Sequence, residues 1–396
     1  MIILGIHSSF TGLTHDSSAC LIKDGKVLAA IEEEKLIRVK SASTYFPINS
    51  IESCLKIAKI NINKVDLLVS DGATYPPIKN KIKNSMIHFF GMCPKIEIYN
   101  HAFAHVLGSF FSSGFEKSLI ISIDGSGDRI SSMVCFGEKE KNKTKIKKIY
   151  SANYTRSLGN FYTAFTNFLG FKSIEGEYKL MGMAAYGKVK FNLSSFINFN
   201  KKNGKIEVGK DYKKIFNIKN YSSINEPSYS KDFICKKFNI KRPKKSKIFS
   251  QCHYDLAASV QYQFQKTYLN LIEYYIKKTK AEYLCLSGGC ALNCLANKEL
   301  IKKKLKGIYV MPAASDRGLS LGAAMICANK YNEKIEHVKS MFLGNAFSKN
   351  FVQKELKNFG IKYKKIKNHY KDCARELQKG KVIGWFQGRA EFGPRA

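Results

Sequence analysis

Short apolar runs broken by glycine turns dominate the early part of the 396-residue chain. Residues 2–7 form one such run, and 18–22 and 26–31 flank Asp24-Gly25, a dipeptide favoured in two-residue hairpin turns. Residues 50–60 then follow helical spacing, and 65–70 read as a strand. A related pattern returns about a hundred residues later. Residues 119–123 predict a strand, Asp124-Gly125-Ser126-Gly127 a tight glycine loop, and 130–136 the returning strand. A third apolar strand at 283–286 runs into Ser287-Gly288-Gly289. A fourth at 308–311 leads through Asp316-Arg317-Gly318 into an apolar helix at 319–328. Between them, 253–278 predicts a long amphipathic helix with Leu256, Val260, Phe264, Tyr268 and Leu271 on its apolar face.

Two hairpin-led α/β units, each with a polar glycine turn between strands, indicate an internally duplicated nucleotide-binding architecture. That is the plan of the actin, sugar-kinase and chaperone-ATPase superfold, built from two ribonuclease-H-like halves. The expected organisation is a domain at 1–340, with halves at about 1–115 and 116–340. A Lys/Asn-rich stretch at about 189–250 reads as a solvated insertion, its basic run KRPKKSK (241–247) included. Residues 341–396 look like the start of another unit.

Charge changes this picture little. The 66 basic against 31 acidic residues give +35, but only eight of the 66 are arginine. Lys, Ile and Asn rise together along the whole chain, a compositional bias, whereas a selected phosphate-binding surface enriches and clusters Arg. No specific nucleic-acid partner is expected. Eleven scattered cysteines without a CxxC pair indicate neither a zinc ribbon nor a disulfide framework. MIILGIHSSF lacks the basic region of a signal peptide, and no apolar stretch approaches the roughly 20 residues of a membrane span. The expectation is a cytoplasmic protein with reduced thiols and no membrane contact.

His101 and His105 carry the first candidate chemistry. Asn100 is a plausible N-cap for HAFAHVLGSFF, and residues four apart on a helix converge on one ion. Asp124 and Asp316 follow apolar strands, where ligands bind in α/β sheets. Two His and two Asp suit Fe(II), Mn(II) or Zn(II). Ser287-Gly288-Gly289, opening a helix, can approach a phosphate or ribose closely. Cys290 in that turn has no histidine near it in sequence and reads as an inert small residue.

The chain resembles the O-carbamoyltransferases of the nodulation-protein, cephamycin and aminoglycoside type. The segments that carry the resemblance are HDSSACLIKDGKVLAAIEEEKLIRVK (15–40), HAFAHVLGSFF (101–111), ISIDGSGD (121–128), SLGNFYTAFTNFLGF (157–171), EGEYKLMGMAAYG (175–187), SGGCALN (287–293), MPAASDRGLSLGAA (311–324) and GWFQGRAEFGPRA (384–396). The resemblance implies an enzyme that makes carbamoyl adenylate from carbamoyl phosphate and ATP. A second domain, similar to the tRNA threonylcarbamoyl transferase, then uses iron to move the carbamoyl group to a hydroxyl of a small sugar-like or antibiotic-like acceptor. It implies an Fe(2+) site, or one for another divalent metal, at His101, His105, Asp124 and Asp316. It places the adenylate on Gly125, Gly127, Gly159, Ser287, Gly288, Gly289 and Asn293. Arg38 and Lys179 are expected to balance phosphate. Asp16 and the run Glu32–Glu34 are expected near the acceptor, although such a run is more often a solvated strand edge.

Two departures stand out. Ala185 occupies a position where the family pattern has proline. The sequence also stops within a motif, at Arg395-Ala396, that continues into the adenylating domain in the family, so this stretch is expected to transfer the carbamoyl group and not to activate it. The rival readings are a tRNA threonylcarbamoyl transferase-like enzyme and a non-catalytic nucleotide-binding remnant.

Overall fold

The computed structural model describes residues 1–10, 14–140, 143–216, 229–243 and 248–394. Strands β1 (Ile2–His7), β2 (Ser18–Lys23) and β3 (Lys26–Glu32) form an antiparallel meander. β4 (Leu67–Asp71) and β5 (Lys95–Tyr99) add parallel beside β1, giving the order β3-β2-β1-β4-β5. The plan then repeats. β6 (Lys117–Gly127), β7 (Ile130–Glu140) and β8 (Lys143–Asn153) make a second meander. A separate hairpin follows, β9 (Ile197–Asn200) and β10 (Lys205–Val208), before β11 (Tyr283–Ser287) and β12 (Gly307–Val310) add parallel beside β6. The second sheet has the order β12-β11-β6-β7-β8, the first order read from the other edge. This α/β chain is therefore a duplicated ribonuclease-H-like fold, as the paired hairpins indicate.

The expected glycine loop is not a loop. β6 runs on through Gly127, and the reversal falls at Asp128-Arg129, both at positive φ (48° and 63°). The β6–β7 register breaks between Ile123 and Gly127, which frees Asp124, Gly125 and Ser126 from the ladder. β8 was not expected from the sequence, because its run of lysines and a register shift beside Ile149 break the alternation, although Ile146 and Ile149 are half-buried. The insertion also differs from expectation. Phe196, Ile197, Ile206, Tyr212, Ile215, Ile234 and Ile240 are buried in the main core, so the stretch is not a wholly solvated insertion. Lys241 and Arg242 are exposed, and residues 244–247 of the basic run lie outside the described residues. The long helix, Gln251–Thr279, buries all five expected apolar positions.

Helices at His101–Ser113 and Leu319–Lys330 follow β5 and β12, equivalent points in the two repeats. Each packs on the other repeat's sheet, and the two pack on each other. The expected division at about 115 thus falls just after a helix that covers the second sheet. The contact is backbone-close: a Cβ added to Gly322 would stand 2.1 Å from the Ala104 carbonyl oxygen, and one on Gly108 3.1 Å from Gly322 Cα. In the final segment, the helices Lys349–Asn358 and His369–Gln378 bury no residue, whereas Phe392 is buried against the first unit.

Gly322→Ala must push these helices apart. It is expected to destabilise the protein by about 3 kcal/mol, the upper range for overpacking a tight core. A urea-unfolding midpoint equal to the parent's would show that the contact is not rigid.

Candidate metal centre and cleft

The His101 helix begins where expected: the Asn100 side chain accepts from Phe103 N at 3.2 Å. Its first turns bring both imidazoles to the strand-end carboxylates of the second repeat. His101 Nε2 and His105 Nε2 lie 3.4 and 3.2 Å from Asp124 Oδ2, and each lies 3.5 Å from Asp316 Oδ1. One donor atom from each of the four residues lies within 4.8 Å of every other. Donors that share an ion at about 2.0–2.2 Å stand roughly this far apart, and the N/O set suits a divalent transition metal. Burial disfavours the His101 imidazolium, but Asp316, Asp124 and Asp71 outweigh it and raise the pKa well above the ordinary value. Burial likewise opposes Asp124 ionisation, yet the two histidines hold its pKa well below the usual range. Gly127 is the cost of this arrangement, because a Cβ there would meet the His101 ring at 2.1 Å.

Asp71, at the end of β4, was not singled out from the sequence. Its Oδ2 lies 2.9 Å from His101 Nδ1, which sets the ring so that Nε2 faces the cluster. His15 was also missed, although the segment HDSSAC that contains it was noted. Its Nδ1 stands 3.1 Å from Asp16 Oδ2 and its Nε2 3.8 Å from Asp316 Oδ2. Burial lowers the pKa of His15, but the Asp16 and Asp316 carboxylates override it and raise it to about 9. Asp16 is fixed by Ser315 Oγ at 3.0 Å and Arg317 Nη2 at 2.8 Å.

A cleft of about 510 Å³ opens beside the cluster, lined among others by His15, Asp16, Asp124, Gly125, Gly159, Asn160, Gly289, Asn293, Asp316 and Arg317. Asn160 is 7% exposed, and its Nδ2 has no hydrogen-bond partner. Asn293 is held face-on by Gln261, with amide contacts of 2.9 and 3.0 Å.

Other expected site residues lie elsewhere. Gly127, Ser287 and Gly288 do not line the cleft. Gly288 has φ +80° and packs on the Ile123 carbonyl, so its lack of a side chain serves the backbone. Arg38 and Lys179 are exposed and are not in the cleft wall; Lys40, the buried Arg317 and the His15 imidazole are the cationic groups there. The acidic run is no solvated edge. Glu32 accepts from Gly393 N at 2.6 Å, Glu33 from Ser50 N and Oγ at 2.8 and 2.7 Å, and Glu34 from Arg317 Nη2 at 3.1 Å. Cys290 is buried, and burial raises its thiol pKa well above the usual value, in keeping with an inert residue. Arg389 donates to the Gly344 and Leu28 carbonyls at 2.9 and 3.1 Å, while Arg395 lies outside the described residues.

The chain is thus an α/β protein with a duplicated core, a cleft and a His₂Asp₂ cluster at the repeat junction. It belongs to the carbamoyltransferase family: the model described as "Carbamoyltransferase N-terminus" matches residues 2–90 and 89–325. The protein sll1178 of Synechocystis sp. is 29% identical over 445 residues, covering 100% of this chain and 69% of its own. Nodulation protein NolNO of Sinorhizobium fredii is 31% identical over 412 residues, covering 96% of this chain and 57% of its own. The 3'-hydroxymethylcephem-O-carbamoyltransferase of Streptomyces clavuligerus is 27% identical over 114 residues, 28% of this chain and 21% of its own. The chain thus spans little more than half of NolNO. Among the described residues, no helix is long and apolar enough to cross a membrane.

Replacing His101 and His105 together by Ala is expected to abolish stoichiometric divalent-metal binding. In the parent, metal must displace protons from the imidazoles, so affinity should rise steadily between about pH 6 and 8. Isothermal titration across that range checks both points. A flat profile, or full binding by the double variant, would remove the cluster from consideration.

Proposed function

We propose that this chain transfers a carbamoyl group from carbamoyl adenylate to a hydroxyl of a small sugar-like or antibiotic-like acceptor. The adenylate arises from carbamoyl phosphate and ATP. The observation that carries the reading is the His₂Asp₂ cluster opening onto the same cleft as His15 and Asp16, in a member of the carbamoyltransferase family. His101, His105, Asp124 and Asp316 would hold Fe(2+) or another divalent ion, which would supply Lewis-acid polarisation of a bound carbonyl.

The protein's own groups do the rest. His15 Nε2 takes the proton of the acceptor hydroxyl, while Asp16 orients the ring from Nδ1. The hydroxyl oxygen bonds to the carbamoyl carbon, the carbon–oxygen bond to phosphate breaks, and AMP leaves with that electron pair. The Asp16 and Asp316 carboxylates raise the His15 pKa to about 9, so the imidazole gains base strength and the neutral form that accepts the proton grows as pH rises toward that value. The Asn160 amide, unpartnered at Nδ2, holds the adenylate in the space that Gly125, Gly159 and Gly289 leave open, while the Gly125 and Gly289 N–H groups donate to Asp124 Oδ1 at 2.8 and 3.1 Å.

Removing the unpartnered Asn160 amide, as Asn160→Ala, should weaken AMP binding about tenfold, the worth of one hydrogen bond. Unchanged affinity by titration would dismiss the amide as a ligand contact. His15→Gln should lower single-turnover AMP release from supplied carbamoyl adenylate, in the presence of a panel of hydroxylated sugars, by about 10²–10⁴-fold. Metal content should stay at the parent level. Parent-like release would eliminate His15 as the base.

A further inference from the structure

We propose that His7 and Asp128 are positioning residues that preset His101 from behind, one through its ring and one through its backbone. This rests on the reading of His101, His105, Asp124 and Asp316 as metal ligands. His7 ends β1 and is 2% exposed. Its Nδ1 lies 2.6 Å from Asp71 Oδ1, and its Nε2 lies 2.9 Å from the carbonyl oxygen of His15. Asp71 uses its other oxygen on His101 Nδ1. One buried chain of contacts therefore joins three places: the end of β1, the ring of a cluster histidine and the backbone of the His15 loop.

Asp128 approaches the same pieces from the second repeat. Its carboxylate accepts from His101 N at 2.7 Å, Ala73 N at 3.0 Å, and Thr74 N and Oγ1 at 2.8 and 2.9 Å. It thereby grips both the first turn of the His101 helix and the loop that follows Asp71. Asp128 occupies a left-handed turn position, φ 48°, where glycine or asparagine is the easier choice. Four accepted hydrogen bonds explain why a carboxylate stands there. His7 presents a similar case, since a buried His–Asp pair is dearer than two apolar side chains of the same volume. Neither residue lines the cleft, although His7 Nε2 also stands 3.9 Å from Asp316 Oδ2.

Outer contacts of this kind fix ring orientation, and their loss typically lowers metal affinity 10–100-fold. The test is Co²⁺ titration of the intact chain, following visible absorption, for the parent, His7→Leu and Asp128→Asn. Circular dichroism checks the fold of each. Asparagine accepts the left-handed backbone but offers a single acceptor oxygen, so this variant decides the matter should His7→Leu fail to fold. We expect 10–100-fold weaker binding and a shifted cobalt spectrum in each folded variant. Parent-like affinity and spectrum in a folded Asp128→Asn would overturn the proposal while leaving the metal reading intact. A parent that binds no Co²⁺ would overturn the metal reading, and this inference with it.

Discussion

The near-contact of two helix backbones at Gly108 and Gly322 governs the geometry of the whole site. The two helices occupy equivalent positions in a duplicated fold, and each covers the other repeat's sheet. Their close crossing brings His101 and His105, in the first turns of one, beside Asp316, just ahead of the other. β6 supplies the fourth group, because its ladder breaks after Ile123 and releases Asp124. A bulkier residue at the crossing would widen the spacing between ligands from different repeats. The donor distances of 3.2–3.5 Å are thus a consequence of helix packing as much as of the ligands themselves.

Such a cluster is costly before any cation joins it. Four titratable groups from both repeats are buried together, and burial opposes the charged form of His101, His105 and Asp124 alike. Their mutual attraction reverses that penalty, holding the imidazoles charged and the carboxylate ionised. The protein tolerates the arrangement because neighbouring charges are also paired: Asp71 between His7 and His101, and Asp16 between His15 and Arg317. Buried ion pairs seldom add stability over an apolar core. Their accumulation around one cleft therefore speaks for chemistry.

The sequence displayed what is local. The i, i+4 histidines, the carboxylates after strands, the Asn100 cap and the hairpin-led repeats are short-range patterns, and the structure contains each of them. Long-range pairing was not legible. Asp71 and His7 acquire their roles through residues 30 and 64 positions away, and neither lies in a turn motif that draws notice. His15 was overshadowed by the neighbouring Asp16. Arg38 and Lys179, which the resemblance assigned to phosphate, are exposed and outside the cleft lining. The glycines divided. Gly125, Gly159 and Gly289 border the cleft, whereas Gly127 and Gly288 are small because a ring and a carbonyl press on them.

Net charge was the least informative feature, and the cleft shows why. A chain of +35 lines its cleft with five carboxylates, Asp16, Asp124, Glu175, Glu177 and Asp316, against Lys40, Arg317 and the His15 imidazole. Arg317 is already committed to Asp16 and Glu34. An anion entering this space meets few uncommitted donors: His15 faces Asp16, and the Gly125 and Gly289 N–H groups already donate to Asp124 Oδ1 at 2.8 and 3.1 Å, which leaves the unpartnered Asn160 amide. The surface lysines can raise the local concentration of anions, but that attraction is long-range, screened by salt and indifferent to structure. Selectivity has to come from the few groups the fold brings within hydrogen-bond reach. In this protein those groups were assembled by strand ends and helix starts from both repeats.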